Sequence, residues 1–552
     1  MSTNPGIFRF HGGLQLEGHK QLSLSRPLQT ASLASELIIP LNQHIGEANH
    51  PLVKAGERVI KGQLLADSAE FVSAPVHAPA AGMIKALEPR PIAHPSGQQA
   101  DCFILLPDAG GELPEPDSLP DAGDFSKQAL LDIIRAAGIV GLGGAVFPTA
   151  AKLVTAEKHD INTLIINGAE CEPYITCDDI LMQTRPQEVI RGIDYLQQIL
   201  QPQQTLIGIE DNKPAAIKAM QQALDQAALP DTRVVSIPSL YPSGSEKQLI
   251  QVLTGHEVHS GQLAFETGVF CQNTGTCAAI AEAVDRQQVL TSRIVTVTGP
   301  GVHHPGNWIT PLGTPISHLI ELAGGYRVKQ PKLIMGGPMM GLDLQNDRIP
   351  VVKASNCILV LDHADQPQAQ PCVRCSRCTE VCPARLLPQQ LYWYSRARQF
   401  DMTEQYHLFD CIECGCCSAV CPSHIPLVQY YRYAKSEIWE QRRKTYKSDR
   451  SRKRHEFREA RLLRQKQRDE ERRRQKREAL AQKKAAEQQA KDQATASKSQ
   501  NADAVQAALE RVMARKQQQD AERRNVTNLT PEQQRQIEEA DARRQRMKKD
   551  DA

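Results

Sequence analysis

Nine of the fifteen cysteines lie between Cys372 and Cys421, in the motifs CVRCSRCTEVCP and CIECGCCSAVCP. Both carry the spacing C-x2-C-x2-C-x3-C-P, through Cys372, Cys375, Cys378 and Cys382, then Cys411, Cys414, Cys417 and Cys421. A cubane iron–sulfur cluster needs four thiolates at its corners. Three close cysteines on a tight loop wrap one cluster, and the fourth, starting the next helical turn, points away to a second. The spacing therefore predicts two [4Fe-4S] clusters with crossed ligation. One takes Cys372, Cys375, Cys378 and Cys421; the other takes Cys411, Cys414, Cys417 and Cys382. Crossing brings the clusters close enough to exchange electrons. Structural zinc is the alternative, but four-cysteine zinc sites usually pair two separated C-x2-4-C units. Cys416 is left over, either as a redox sensor or as a small residue packed beside the cluster.

A second candidate for chemistry is GIVGLGGAVFPTAAK (Gly138–Lys152), followed by LIINGAECEP (Leu164–Pro173). Glycines let a backbone approach a phosphate or flavin closely, and consecutive N–H groups can cradle an anion. Most glycine-rich loops are nevertheless turns without a ligand.

The elements around these motifs separate by composition. Residues 30–105 read as short alternating strands punctuated by glycine, as in VKAGERVIKGQLLA and VHAPAAGMI. Their layout resembles the barrel-sandwich fold of biotinyl and lipoyl carriers. The intervening DSAEFVSAP has no lysine, which predicts the fold without carrier chemistry. Residues 107–125 are rich in Pro, Gly and Asp and read as a linker. Between 126 and 290, apolar β-branched runs alternate with helical stretches such as KPAAIKAMQQALDQA. That alternation predicts an α/β domain with a largely parallel sheet. SRIVTVTGPGV and TPISHLIELAGG open a small α+β module over 291–345. The cysteine domain is expected over 365–435.

Residues 441–552 carry 33 Lys+Arg against 19 Asp+Glu in a chain of formal net charge +2. The chain is an acidic body with a basic tail. The tail cannot build a core. It is expected as broken helix in solvent, with Val505, Leu509 and Val512 on one face of a docking helix. Its glutamates and scarce aromatics argue against a nucleic-acid platform; anionic lipid or a partner subunit suits it better. The start, MSTNPGIFRFHGG, shows no secretory pattern, and no run of about 18 apolar residues would span a bilayer. Cysteines clustered in a long chain differ from a secreted disulfide scaffold, so reduced thiols in the cytoplasm are expected.

The glycine loop and the turn after it resemble the flavin- and NADH-binding part of the NADH-oxidising subunit of respiratory complex I. That family has a loop G-R-G-G-A-G-F-P-T-G-x-K and a turn N-A-D-E-S-E-P. Gly143, Gly144, Ala145, Phe147, Pro148, Thr149 and Lys152 match the loop; Asn167, Glu170, Glu172 and Pro173 match the turn. The resemblance implies FMN held at Gly141, Gly143, Gly144 and Asn167, with NADH as substrate. Lys152, Glu170 and Glu172 would orient the nicotinamide nucleotide. Leu142 replaces the loop arginine and Val146 a glycine; a valine side chain there would crowd the cofactor.

The order of modules is similar to the C subunit of the Rnf (Rsx) electron transport complex over nearly the whole chain. The resemblance implies a multidomain α/β protein with five parts. These are a barrel-sandwich part, a Rossmann-like α/β flavin-type domain, a β-grasp-like module, a ferredoxin-like helical domain with two [4Fe-4S] clusters, and a disordered or helical tail. It implies a peripheral subunit on the cytoplasmic side of the cell inner membrane, bound to integral membrane subunits. There it would exchange electrons between NADH and ferredoxin-type partners and couple them to ion movement. Two other readings stay open: a non-enzymatic iron–sulfur wire with a vestigial flavin domain, and a soluble NADH dehydrogenase subunit.

Overall fold

The computed structural model describes residues 6–94, 96–108, 125–363, 368–496, 508–516, 530–532 and 534–539. The chain divides into two units, Met1–Arg442 and Arg443–Ala552.

In the first unit, strands Leu37–Pro40, Arg58–Val59, Gly82–Pro91 and Gln99–Pro107 form one antiparallel sheet. His50–Pro51, Leu64–Asp67 and Val76–His77 form a second. Side chains alternate across a strand: Ile84 is buried between exposed Met83 and Lys85. Leu37, Ile39, Leu65, Ile84 and Phe103 close the core between the sheets. Gly56 and Gly62 sit at φ +84° and +82°, a backbone that turn glycines supply without steric cost.

The α/β domain holds four parallel strands, Thr163–Gly168, Gln204–Glu210, Thr232–Ile237 and Val269–Asn273. Their order across the sheet is 232–237, 204–210, 163–168, 269–273. The sheet thus grows to one side of the first strand and then switches to the other. In such sheets ligands bind beyond the carboxyl ends of the strands at the switch. Here those ends are Asn167–Gly168 and Asn273. Helices Pro186–Leu200 and Thr274–Arg286 cross closely because Gly192 carries no side chain. A Cβ there would lie 1.9 Å from the carbonyl oxygen of Cys277.

The third module is a six-stranded mixed sheet, and it does not stop at 345. Strand Cys357–Asp362 lies inside it, between Ser292–Thr298 and Pro331–Met335. Gln29–Thr30, from the amino-terminal segment, adds one edge beside Gly306–Pro311. Residues 6–20 form a strap rather than a domain of their own. Phe8 N–H donates to Val252 O, Gly13 N–H to Val381 O, and Leu14 pairs with Tyr241.

The first part of the tail is unbroken rather than broken: one continuous helix runs Leu427–Ala496, and separate short helices follow among the described residues at 508–516 and 534–539. No glycine or proline interrupts the long helix, and it is filled with strong helix formers. Its first turns bury Leu427, Val428, Tyr431, Ala434 and Ile438 in the cysteine domain. Among the described residues of the second unit, side chains from Arg443 on are almost all exposed. Leu509 and Val512 sit exposed on a short helix, and Val505 lies outside the described residues.

Gly192→Ala should destabilise the first unit by about 2 kcal/mol or more, because a methyl group must displace a helix backbone. Urea unfolding followed by tyrosine and tryptophan fluorescence measures it; an unchanged midpoint would contradict this packing.

Candidate redox site: two cysteine cavities and a glycine loop

The second cysteine motif repeats the first in backbone as well as in spacing. Arg374, Ser376 and Arg385 have φ of +56°, +63° and +52°. The residues 39 positions on, Glu413, Gly415 and His424, have +58°, +81° and +51°. Short helices follow at Arg377–Glu380 and Cys416–Ala419, and longer ones begin at Pro388 and Leu427. Left-handed residues between the cysteines curl each loop so that its thiols face one point.

The two copies face each other. A cavity of about 460 Å³ is lined by Cys372, Cys375, Cys378 and Cys421. A tighter cavity of about 20 Å³ is lined by Cys382, Cys411, Cys414 and Cys417, with Cys416 on its wall. Each four-cysteine group thus draws three thiols from one copy and one from the other. A set of four sulfur donors around one space suits an iron–sulfur cluster. The surroundings differ. Cys375 is exposed. Cys414, Cys416 and Cys417 are buried, and the Tyr241 hydroxyl donates to the Cys414 carbonyl at 2.6 Å. Gly415 faces Met339, whose carbonyl oxygen would lie 2.6 Å from an added Cβ.

The glycine loop lies at the switch of the parallel sheet. Gly143 packs on Asn273, 3.5 Å from its would-be Cβ, and Gly144 has no atom within 4 Å of one. Asn273 caps the helix behind, accepting from Gly275 N and Thr276 N, and donates to Asp178 at 2.7 Å. Leu142 N–H donates to Thr276 Oγ1 at 2.9 Å. An open surface over side-chain-free backbone fits a flat, phosphate-bearing ligand such as FMN. Asn167 turns inward: its amide donates to Gly244 O and its oxygen accepts from Ala169 N–H.

Val146 does not crowd this opening. It adopts φ +43° and packs against the main core, while its carbonyl accepts from Ile45 N–H. The side chain where the related loop has glycine is directed into the protein.

The two acidic residues of the turn are also directed inward. Glu170 accepts from Asp178 N–H at 2.7 Å and Asp179 N–H at 3.2 Å. It thereby holds the start of helix Cys177–Thr184. Burial pushes its pKa up to about 8, against the opposing pull of Lys20. Lys20 reaches from the strap and donates to the carbonyls of Glu170, Glu172 and Ile175. Glu172 accepts from Met339 N–H at 2.7 Å and Met340 N–H at 2.9 Å. Lys152 donates to Cys271 O at 2.7 Å and to Glu246 at 3.0 Å. Among these three, the carboxylates position backbone, and Lys152 lies against the strand that ends at Asn273.

Sequence reasoning missed the residues that grip the glycine loop from outside its domain. Lys353 is fully buried and donates to Pro75 O and Gly138 O, both at 2.7 Å. Arg293 is buried and donates to Leu142 O at 3.2 Å and to Lys353 O. Gly138 is needed there at φ +69°, since a Cβ would lie 2.5 Å from Pro75 O. A lysine inside the apolar run PVVKAS was the available signal.

A parallel-sheet domain of this order, joined to a paired four-cysteine domain, defines a flavin- and iron–sulfur-type electron-transfer protein. Comparison with known families agrees. Residues 8–110 match the RnfC barrel sandwich hybrid domain and 134–282 the Nuo51 FMN-binding domain. Residues 294–343 match the SLBB domain, and 371–425 the 4Fe-4S dicluster domain. The cofactors are thus FMN and two [4Fe-4S] clusters. Among curated relatives, the C subunit of the ion-translocating oxidoreductase complex of Pseudomonas aeruginosa is 46% identical over 93% of this chain and 66% of its own length. That of Haemophilus influenzae strain PittEE is 44% identical over 95% and 79%, and that of Yersinia pestis 47% identical over 73% and 65%. The chain belongs to the family of C subunits of the ion-translocating oxidoreductase complex. It spans 66% and 65% of the length of the Pseudomonas aeruginosa and Vibrio cholerae members.

Burial pulls the Lys353 pKa down to about 7. A neutral amine has two N–H groups, which matches its two carbonyl acceptors. An unfolded lysine titrates near 10.4. Between these values the unfolded chain binds the extra proton, so this residue's contribution to stability rises with pH. Relative to Lys353→Met, the wild-type chain should gain about 2 kcal/mol in unfolding free energy from pH 7 to 9. Urea unfolding at the two values reads this; a difference independent of pH would show that Lys353 stays charged.

Proposed function

We propose that this chain is the peripheral subunit of a membrane-bound complex on the cytoplasmic side of the inner membrane. It takes electrons from NADH and passes them through two clusters to a redox partner whose reduction is coupled to ion movement. The observation that carries the reading is the pair of four-cysteine cavities in series. One is enclosed against the flavin-type domain and the other is open to solvent. The reading assigns Cys382, Cys411, Cys414 and Cys417 to the entry cluster, and Cys372, Cys375, Cys378 and Cys421 to the exit cluster. FMN, when bound, takes a hydride and returns electrons singly, chemistry that belongs to the cofactor.

The chain's own residues supply positions. Gly141, Gly143 and Gly144 leave room for the isoalloxazine and phosphate, and Asn167 fixes the strand end beside them. Lys152 supplies a positive charge near the switch point. Glu170 and Glu172 act through the backbone they hold: Glu172 fixes Met339, and Met339 covers the loop of Cys414. Ion movement falls to partner subunits. Among the described residues no helix is long and apolar enough to cross a membrane. Ferredoxin-type proteins suit the exit cluster in either direction of flow.

A second reading, an iron–sulfur wire with a flavin domain that no longer works, is favoured by the inward engagement of both glutamates and Asn167. The two readings differ in one anaerobic experiment. NADH added to the reconstituted chain should bleach cluster absorbance only when FMN is present. Bleaching by dithionite but not by NADH with FMN would leave the wire. In the same preparation Cys416→Ala should keep eight irons per chain, and Cys414→Ala should lose about four.

A further inference from the structure

The two copies of the cysteine repeat differ in how far their loops are covered. In the second copy, Cys414, Gly415 and Cys416 are buried and Ile412 is half-buried, so the loop presents a covered face. Ile412, Cys414 and Cys416 pack with Tyr241 and Met339, and Gly415 admits the Met339 backbone. The equivalent face of the first copy is Val373, Cys375, Ser376 and Arg377, with Arg374 beside them. All five are exposed, and Val373 is 67% exposed.

The substitutions follow the difference in cover. Where Cys416 is sealed at 0% exposure, the first copy has Arg377. Where Gly415 leaves room for a neighbouring carbonyl, it has Ser376. An arginine is tolerated only where water or a polar partner meets it. Residues 371–400 contain five arginines and one acidic residue, Glu380. Among the described residues none of the five forms an ion pair. Trp393 lines the open cavity, and Arg396 lies over its ring at 5.9 Å. The face therefore joins a small apolar centre to a positively charged rim, the composition of a protein contact steered by charge.

We infer that the face of Val373, Arg374, Cys375 and Arg377 is the docking surface for an acidic one-electron carrier protein. The carrier occupies the position that Tyr241 and Met339 take on the second copy. This rests on the proposed function in treating the open cluster as the exit. One electron leaves this chain and reduces the carrier's oxidised centre by one; no bond forms or breaks and no proton moves.

The test uses the full chain with both clusters loaded and, as probe, a soluble acidic two-iron ferredoxin, with binding followed calorimetrically. Affinity should fall about tenfold or more between low and moderate salt. R374E/R377E should weaken low-salt binding about tenfold or more while iron content stays at the wild-type value. Arg374→Gln alone should give a smaller loss in the same direction. K85E, an exposed charge reversal on the barrel-sandwich domain, should change nothing. Binding unaffected by R374E/R377E, or weakened equally by K85E, would overturn the inference. The measurement needs no NADH, so a chain that NADH fails to reduce would refute the proposed function without deciding this one.

Discussion

The contact between the second cysteine loop and Tyr241 and Met339 is the constraint on which the site depends. Electron transfer between cofactors requires that they be close and fixed. Here the Tyr241 hydroxyl holds the Cys414 carbonyl at 2.6 Å, and Gly415 lets the Met339 backbone pack against the loop. The partners of that contact are held in turn. Leu14 of the strap pairs with Tyr241, Glu172 holds Met339 and Met340, and Arg432 donates to Met340 O at 2.8 Å. Glu413 is tied to Arg432 and Lys435 at 2.9 and 2.8 Å. Three modules and the strap therefore meet at one cysteine loop. The buried carboxylate of Glu172 is compensated there by two backbone N–H groups, without which it would be costly.

A similar joint secures the glycine loop. Lys353 and Arg293, both buried, reach out of the six-stranded sheet module to three carbonyls of the glycine loop and the barrel-sandwich part. Such long polar side chains fix backbone geometry where apolar packing would leave carbonyls unsatisfied. The glycine loop is thus shaped from outside its own domain.

The sequence made legible what is set over short distances. Cluster ligands must be spaced by a few residues, so their types and intervals stand out even in one sequence, and so do the turn glycines at 56 and 62. The parallel sheet was readable because its strands are apolar runs alternating with helices. What remained hidden acts over long separations: Lys353 meets Gly138 from 215 residues away, and Tyr241 meets Cys414 from 173. The direction of a side chain was hidden as well. Nothing in NGAECEP says that Glu170 and Glu172 turn inward, or that Val146 faces the core. The first part of the basic tail was misread in continuity, because low complexity resembles disorder even when most residues are good helix formers and none is glycine or proline. The spare cysteine became intelligible only once the repeat showed it standing where Arg377 stands, under a neighbouring domain.

The central claim is an order: flavin-type domain, enclosed cluster, open cluster. Freeze-quench EPR of Cys375→Ala, which on this account lacks the open cluster, tests it most directly. After mixing with NADH in the presence of FMN, the account predicts that the remaining cluster is reduced at the wild-type rate. A remaining cluster that NADH no longer reduces, though dithionite still does, would contradict the account and place the open cluster first.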